Sequence, residues 1–354
     1  MSAKDIMNAM DLLDEDLVLE AKSAQRKKRV SPRRIFLLAA VIAMLGALTL
    51  SAVAAADKAG WFRDMFAGQS DTELTPGQET FIRDNTVSVD AHQTHNGYTL
   101  TLDSAFTDGK LAYFRFMLTA PEGDVLNGEW YGALHETTIQ NEAGEHFFGG
   151  EGQGVGGLRW TAEPVEGKEN CVWLLLETDR GFTGNVTPLS AHIWTVYVYG
   201  LQAGHPDAEL GLRYEPLAEG CWSFEVRFPE GCERELELIG EPVTTECKLD
   251  IGHEVDMEAG TVNVRTETCP VEITSFRLRA LTAELSFRYP EKEAVNGRFD
   301  EVWAVMADGT KVLLEHNAVM PNFLSFTFDA PLELDRVDHI LFPDGTVLPV
   351  DAVS

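Results

Sequence analysis

Residues 98–116 read YTLTLDSAFTDGKLAYFRF. Tyr98-Thr99-Leu100-Thr101-Leu102 alternates with the period of a strand. Thr107-Asp108-Gly109-Lys110 then supplies the Asp-Gly pair that favours a tight turn, and Leu111-Ala112-Tyr113-Phe114-Arg115-Phe116 resumes as a second strand. Strand-like pattern begins at Val87. Further strands are expected at 137–140, 172–176, 193–199, 222–228, 235–239, 262–266, 271–278 and 285–289. Near the end the same device recurs. Val302–Met306 and Val312–Glu315 flank Asp308-Gly309-Thr310, Phe323–Phe328 follows, and Ile340–Phe342 precedes Asp344-Gly345-Thr346. Short strands joined by Asp-Gly turns, with few helical stretches, point to a mainly β chain built as two antiparallel, sandwich-like domains. The stretch Ala203–Glu219 is loop-like and marks the expected boundary, giving domains at 85–205 and 206–354.

Upstream, residues 35–56 read IFLLAAVIAMLGALTLSAVAAA, an apolar run without a charge. As a helix it would be roughly 33 Å long, enough to cross a bilayer. Arg26, Lys27, Lys28, Arg29, Arg33 and Arg34 precede it, whereas Lys58 and Arg63 after it are offset by Asp57 and Asp64. Basic flanks stay on the cytoplasmic side, so the expectation is a single-pass cell-membrane protein with residues 1–34 inside and the chain beyond Ala56 outside. A cleaved signal peptide is the rival, since Ala52-Val53-Ala54 and Ala54-Ala55-Ala56 have the A-x-A form. The long leader and the length of the run favour a retained anchor.

The tail opens with Ser2-Ala3-Lys4-Asp5, the form of a helix start. Ile6, Met10, Leu13 and Leu17 then recur at helical spacing with Asp11, Asp14, Glu15, Asp16 and Glu20 around them, and Ser31-Pro32 ends the pattern. A lone helix of that length gains stability only when its apolar stripe is covered, so these four residues are the candidate docking stripe for a partner. Past the run, Trp61-Phe62-Arg63-Asp64-Met65-Phe66 is expected to anchor at the membrane interface. Thr75-Pro76-Gly77-Gln78 carries a capping residue, Pro at the first helical position and Gln at N3, which predicts a short helix to about Asp84 within a juxtamembrane segment 57–84.

Of 28 basic and 57 acidic residues, residues 1–56 hold 8 and 6, leaving 20 and 51 beyond Ala56, a net charge of −31. That balance argues against nucleic acid, whose phosphates need basic partners, and against anionic lipid head groups. The five cysteines, Cys171, Cys221, Cys232, Cys247 and Cys269, all lie beyond the run; Cys221–Cys232 and Cys247–Cys269 are plausible local pairs, and connectivity stays open. No C-x-x-C spacing occurs. Gly152, Gly154 and Gly157 satisfy G-x-G-x-x-G, but Leu158–Pro164 after them is not helical, so a flexible loop is expected. His92 and His95, with Asp90 nearby, fall on opposite faces of a strand. His135-Glu136 and His253-Glu254 lack a second histidine, and no G-x-S-x-G elbow occurs. Asp256 with Glu258, and Glu291 with Glu293, read as solvated turn carboxylates, and Asp108, Asp308 and Asp344 as hairpin residues. No catalytic, metal-binding or cofactor-binding residues are assigned, and the chain is expected not to be an enzyme.

AMDLLDEDLVLEA, the basic RKKR and RR, and one span together resemble the N-terminus of single-pass anti-sigma-factor-like membrane proteins of clostridia-type Firmicutes. NGYTLTLDSAFTDGKLAYFRFMLTAPEGDVL is similar to the opening of the uncharacterised extracellular β-domain often fused to such tails. FTFDAPLELDRVDHILFPDGTVLPV is similar to the immunoglobulin-like domain that often closes them. The resemblance implies a bitopic regulator whose tail docks an extracytoplasmic-function sigma factor and whose exterior senses an envelope ligand or protein. The tail has no Cys or His, unlike the zinc-bearing anti-sigma domain. The alternative is a membrane-anchored structural or adhesive envelope module without a signalling role.

Overall fold

The computed structural model describes residues 58–70, 73–126, 133–147, 158–179, 188–207, 211–238, 240–256, 261–289, 296–320 and 322–352. The tail, its stripe Ile6, Met10, Leu13 and Leu17, and the apolar run 35–56 lie outside the described residues, as do the glycine-rich 149–157, Glu258, Glu291 and Glu293. Among the described residues no helix is long and apolar enough to cross a membrane.

The chain is mainly β. Two helices lead in: α1, residues 58–69, and α2, Pro76–Asp84. Eight strands follow: β1 (Thr86–His95), β2 (Tyr98–Thr107), β3 (Leu111–Thr119), β4 (Ala133–Asn141), β5 (Leu158–Val165), β6 (Lys168–Asp179), β7 (Trp194–Asp207) and β8 (Gly211–Val226). They form an antiparallel five-stranded sheet, β1-β2-β3-β6-β5, and a three-stranded one, β4-β7-β8. Alternation explains the core between them. Leu100 and Leu102, Phe114 and Phe116, and Val172 and Leu174 from the first sheet share one buried cluster with Ile139, Val196, Val198, Trp222 and Phe224 from the second. Phe116 and Phe224 meet edge to face at 5.7 Å.

The remaining strands are β9 (Leu236–Leu238), β10 (Val243–Asp256), β11 (Thr261–Leu278), β12 (Thr282–Arg288), β13 (Asn296–Arg298), β14 (Trp303–Met306), β15 (Lys311–Leu313), β16 (Glu315–Met320), β17 (Phe323–Thr327), β18 (Val337–Leu341) and β19 (Val347–Ala352). Their pairings form a sheet ordered β15-β14-β18-β19-β9-β11-β12-β17-β16, with β10 on β11 and β13 on β10. The 18 residues of β11 serve two neighbours: residues 261–273 pair β10, and residues 272–278 pair β12. A second core, from Leu236 to Leu348, lies within this half.

The Asp-Gly turns occur where expected. Gly109, Gly309 and Gly345 have φ of +94°, +86° and +87°. Gly109 is doubly constrained, since a Cβ there would come within 2.8 Å of the Glu233 backbone. Helix α2 also matches its signal. Thr75 Oγ1 accepts from the Gln78 amide at 3.2 Å, and the Gln78 side chain accepts from the Thr75 amide at 2.8 Å, a complete capping box.

Two expectations change. The described residues of Ala203–Glu219 are not a loop: 203–207 and 211–219 form the long arms of the paired strands β7 and β8, with Asp207 opposite Gly211. Backbone pairing supplies there what composition does not advertise, and the buried cores change over only between Cys232 and Leu236. Leu158–Pro164, read as not helical, is strand β5, held by β6, while the glycine-rich stretch before it lies outside the described residues. Finally, Phe62 and Phe66 are wholly buried in protein rather than placed to anchor at a membrane surface. Their i, i+4 spacing puts both on one face of α1, against Phe106 and Tyr113. Leu281 joins this third cluster, so the helices, the β2–β3 tip and the β11–β12 turn share a core.

Candidate functional site

The outward face of the first sheet carries Tyr113, Arg115 and Met117 on β3, between the inward Phe114, Phe116 and Leu118. Register sets Arg115 opposite Leu175 and Met117 opposite Trp173 on β6, with Glu163 of β5 opposite Trp173 and Thr161 opposite Leu175. Helix α1 covers part of this face. Between them lies a cleft of about 500 Å³, walled by Trp61, Asp64, Met65, Gly68 and Gln69 of α1 and by Arg115, Thr161, Glu163, Trp173, Leu174 and Leu175 of the sheet.

Arg115 is the centre of this site. Its guanidinium carbon stands 3.7 Å from the Trp173 ring centroid and 4.6 Å from that of Trp61, a cation held between two π faces. Its Nη1 donates to Asp103 Oδ2 at 3.4 Å. Asp103, buried on β2, also accepts from the Lys58 ammonium at the first described turn of α1. Lys58 reaches Asp90 at 2.9 Å as well. Burial pushes the Asp90 carboxyl up, but hydrogen bonds from Lys58 and Ser88 outweigh it and hold the group below its ordinary range. One polar chain therefore runs from Asp90 through Lys58 and Asp103 to the stacked Arg115. It ties α1 to the sheet at the cleft.

The cleft lining offers indole faces, the Arg115 cation, the Gln69 amide and the carboxylates of Asp64 and Glu163. That inventory binds by stacking and hydrogen bonding. Among the described residues the lining has no His, Cys, Ser or Lys. Elsewhere, His95 packs edge to face on Trp222 at 5.0 Å, while His92 is exposed on the same strand. Among the described residues no three His, Cys, Asp or Glu side chains are grouped to hold a metal ion. Asp308 and Asp344 cap their own turns, accepting from Thr310 and Thr346 amides at 2.9 Å each. Sequence reasoning did not single out Arg115 or Trp173, and it read Trp61 as an interface anchor rather than as part of a cleft. The available signal was a lone arginine within Leu111–Leu118, an otherwise apolar strand, where a charge has to stack or pair.

No protein-family model matches the chain, and no curated protein matches it. Among solved structures it is similar to one described as the crystal structure of the conserved domain protein from Bacillus anthracis. The two share 11% identity over 76% of this chain and 90% of that one, at a TM-score of 0.37.

Proposed function

We propose that the protein is a bitopic membrane regulator of the anti-sigma-factor-like kind, with residues 35–56 as its span. Its two β halves are then the sandwich-like exterior modules, the second immunoglobulin-like, and its tail docks a cytoplasmic sigma factor through Ile6, Met10, Leu13 and Leu17. One observation carries the reading: the helix that forms a wall of the cleft, α1, is under way at Lys58, two residues past the apolar run, and is locked into the fold by Phe62 and Phe66. A ligand entering between α1 and the sheet acts on the segment that leads into the span, so occupancy outside has a short mechanical route to the tail. The acidic exterior suits a soluble or cationic envelope ligand better than the anionic membrane surface.

The test uses full-length protein, tagged at its C-terminus and solubilised in detergent, co-purified with a candidate sigma factor. Retention by the wild type and loss in Leu13→Asp and Leu17→Asp supports docking through the stripe. A chain that no sigma factor accompanies, or whose partner ignores both substitutions, is instead an anchored envelope module without a signalling role.

A further inference from the structure

Cys247 and Cys269 are direct cross-strand partners in the pairing of β10 with β11. Two residues on from each, Leu249 and Val271 point into the same second core that buries both cysteines. Opposed residues of antiparallel strands have Cα atoms about 4.5–5.5 Å apart, within the roughly 4.4–6.8 Å that disulfides span. The other three cysteines have no such neighbour. Cys171 stands opposite Thr119 and Cys221 opposite Tyr199, and the exposed Cys221 contrasts with Cys232, buried in the first core.

We propose that Cys247 and Cys269 are joined by a cross-strand disulfide, closed as β10 pairs with β11 and then buried. In the structure both are thiols, and Cys247 Sγ lies 3.3 Å from the Arg298 carbonyl oxygen. Closure exchanges that weak S–H contact for the S–S bond by turning the Cys247 side chain. The oxidant is a disulfide, either a small molecule such as oxidised glutathione or one carried by an exchange enzyme. The thiolate of one cysteine attacks it, forming a mixed disulfide and expelling one thiolate. The second cysteine, as thiolate, then attacks the protein sulfur of that mixed disulfide and expels the other thiolate. Two electrons pass to the oxidant, and the two cysteine protons end on the expelled thiolates. Burial pushes the Cys247 thiol up to about 12, so thiolate attack in the finished fold is slow and closure belongs to folding.

In cells, closure rests on the reading that this part lies outside the cytoplasm, where disulfides persist. The experiment separates the two ideas. Full-length protein is unfolded and refolded in reduced and oxidised glutathione, and a parallel sample is synthesised cell-free in the same buffer; alkylation, digestion and mass spectrometry follow. The expected result is a linked peptide pair containing Cys247 and Cys269 in both samples. Cys269→Ser should abolish it, and the linked form should unfold at a temperature higher by about 5 °C or more. Both cysteines alkylated in every molecule of both samples, or Cys247 linked to a different cysteine, overturns the proposal. A link formed in both samples but missing from protein quenched directly in cells leaves the bridge standing and counts against the exported topology.

Discussion

The carboxylate of Asp108, at the tip of the β2–β3 turn, accepts a hydrogen bond from the backbone amide of Leu281 in the β11–β12 turn at 2.9 Å. The same oxygen accepts from Thr282 Oγ1 at 3.2 Å, and its partner oxygen takes the Lys110 and Leu111 amides at 3.0 and 2.8 Å. Around it, Lys110 pairs with Glu284, which also takes Arg279 at 3.2 Å, while Arg279 meets Glu235 at 2.5 Å. A hairpin residue of the first half is thus the acceptor that closes a turn of the second. Helix α2 adds a second tie, since Thr75 Oγ1 donates to Glu333 and Gln78 Nε2 to the Pro331 carbonyl. Gly77 permits that approach, because a Cβ there would collide with the Glu333 carboxylate.

Removing this acceptor strands buried donors. Asp108 is wholly buried, and Asp108→Ala leaves the Leu281, Lys110 and Leu111 amides without it, at a cost of about 3 kcal/mol. Asp108→Asn retains one oxygen but turns an amide N–H₂ toward one set of donors, and should cost about 1–2 kcal/mol. Urea unfolding followed by tryptophan emission measures both. An alanine variant within about 0.5 kcal/mol of wild type removes Asp108 from the tie.

How far the sequence announced this varies with the residue. The Asp108-Gly109 turn, the Thr75/Gln78 cap and the alternation of β2 were legible, because each is a local device whose residues lie within four positions of one another. The role of Asp108 beyond its turn was not, since Leu281 is 173 residues away and no local pattern encodes that contact. The misreading of Trp61–Phe66 had a different origin. Aromatic residues beside an apolar run suit a membrane interface and a buried helix face equally. The clue that decides lay elsewhere, in the apolar runs of β3 and β6, which are apolar on both faces and so need a cover on each. The cleft was illegible for the same reason: Trp61, Arg115 and Trp173 meet only once α1 folds back.

Acid should loosen the Glu284 network. Burial raises the Glu284 carboxyl, yet Lys110 and Arg279 outweigh it and hold the group below its ordinary range. A carboxyl lowered on folding contributes stability that is complete above the unfolded value near 4.3 and is lost as pH falls through the lower native value. Glu284→Gln should therefore start less stable at pH 7 and lose less between about pH 5 and pH 3 than wild type does. Parallel stability curves for the two proteins across that window would assign the acid loss to other carboxylates.

Helix α1 should fail at Phe66 and tolerate change at Arg63. Phe66 packs on Phe106 and Tyr113 with ring centroids 5.5 and 5.8 Å away, whereas Arg63 is exposed and pairs only with the neighbouring Asp64 among the contacts described. Truncating a buried phenylalanine costs about 3–5 kcal/mol, so Phe66→Ala should detach the helix or unfold the β-rich part. Arg63→Ala should stay within about 0.5 kcal/mol. Limited proteolysis distinguishes them, with new cuts in 58–69 expected for Phe66→Ala alone. Equal protection of the two variants would mean that α1 does not depend on this core.

The stacked Arg115 makes the most specific prediction for the cleft. Lysine can keep the charge near Asp103, but it cannot lay a planar cation between two indoles, so Arg115→Lys should behave nearly as Arg115→Met does. The stack itself is isolated by a cycle of Arg115→Met, Trp173→Leu and the double variant. Cation–π pairs contribute about 0.5–2 kcal/mol depending on desolvation, and the Arg115 side chain is only 12% exposed, which places the coupling in the upper half of that range. Asp103 keeps Lys58 as a partner in all three variants, so the coupling does not include an orphaned carboxylate. A coupling below about 0.3 kcal/mol, with Arg115→Lys indistinguishable from wild type, would reduce Arg115 to a point charge beside Asp103 and leave the cleft without its stacked floor.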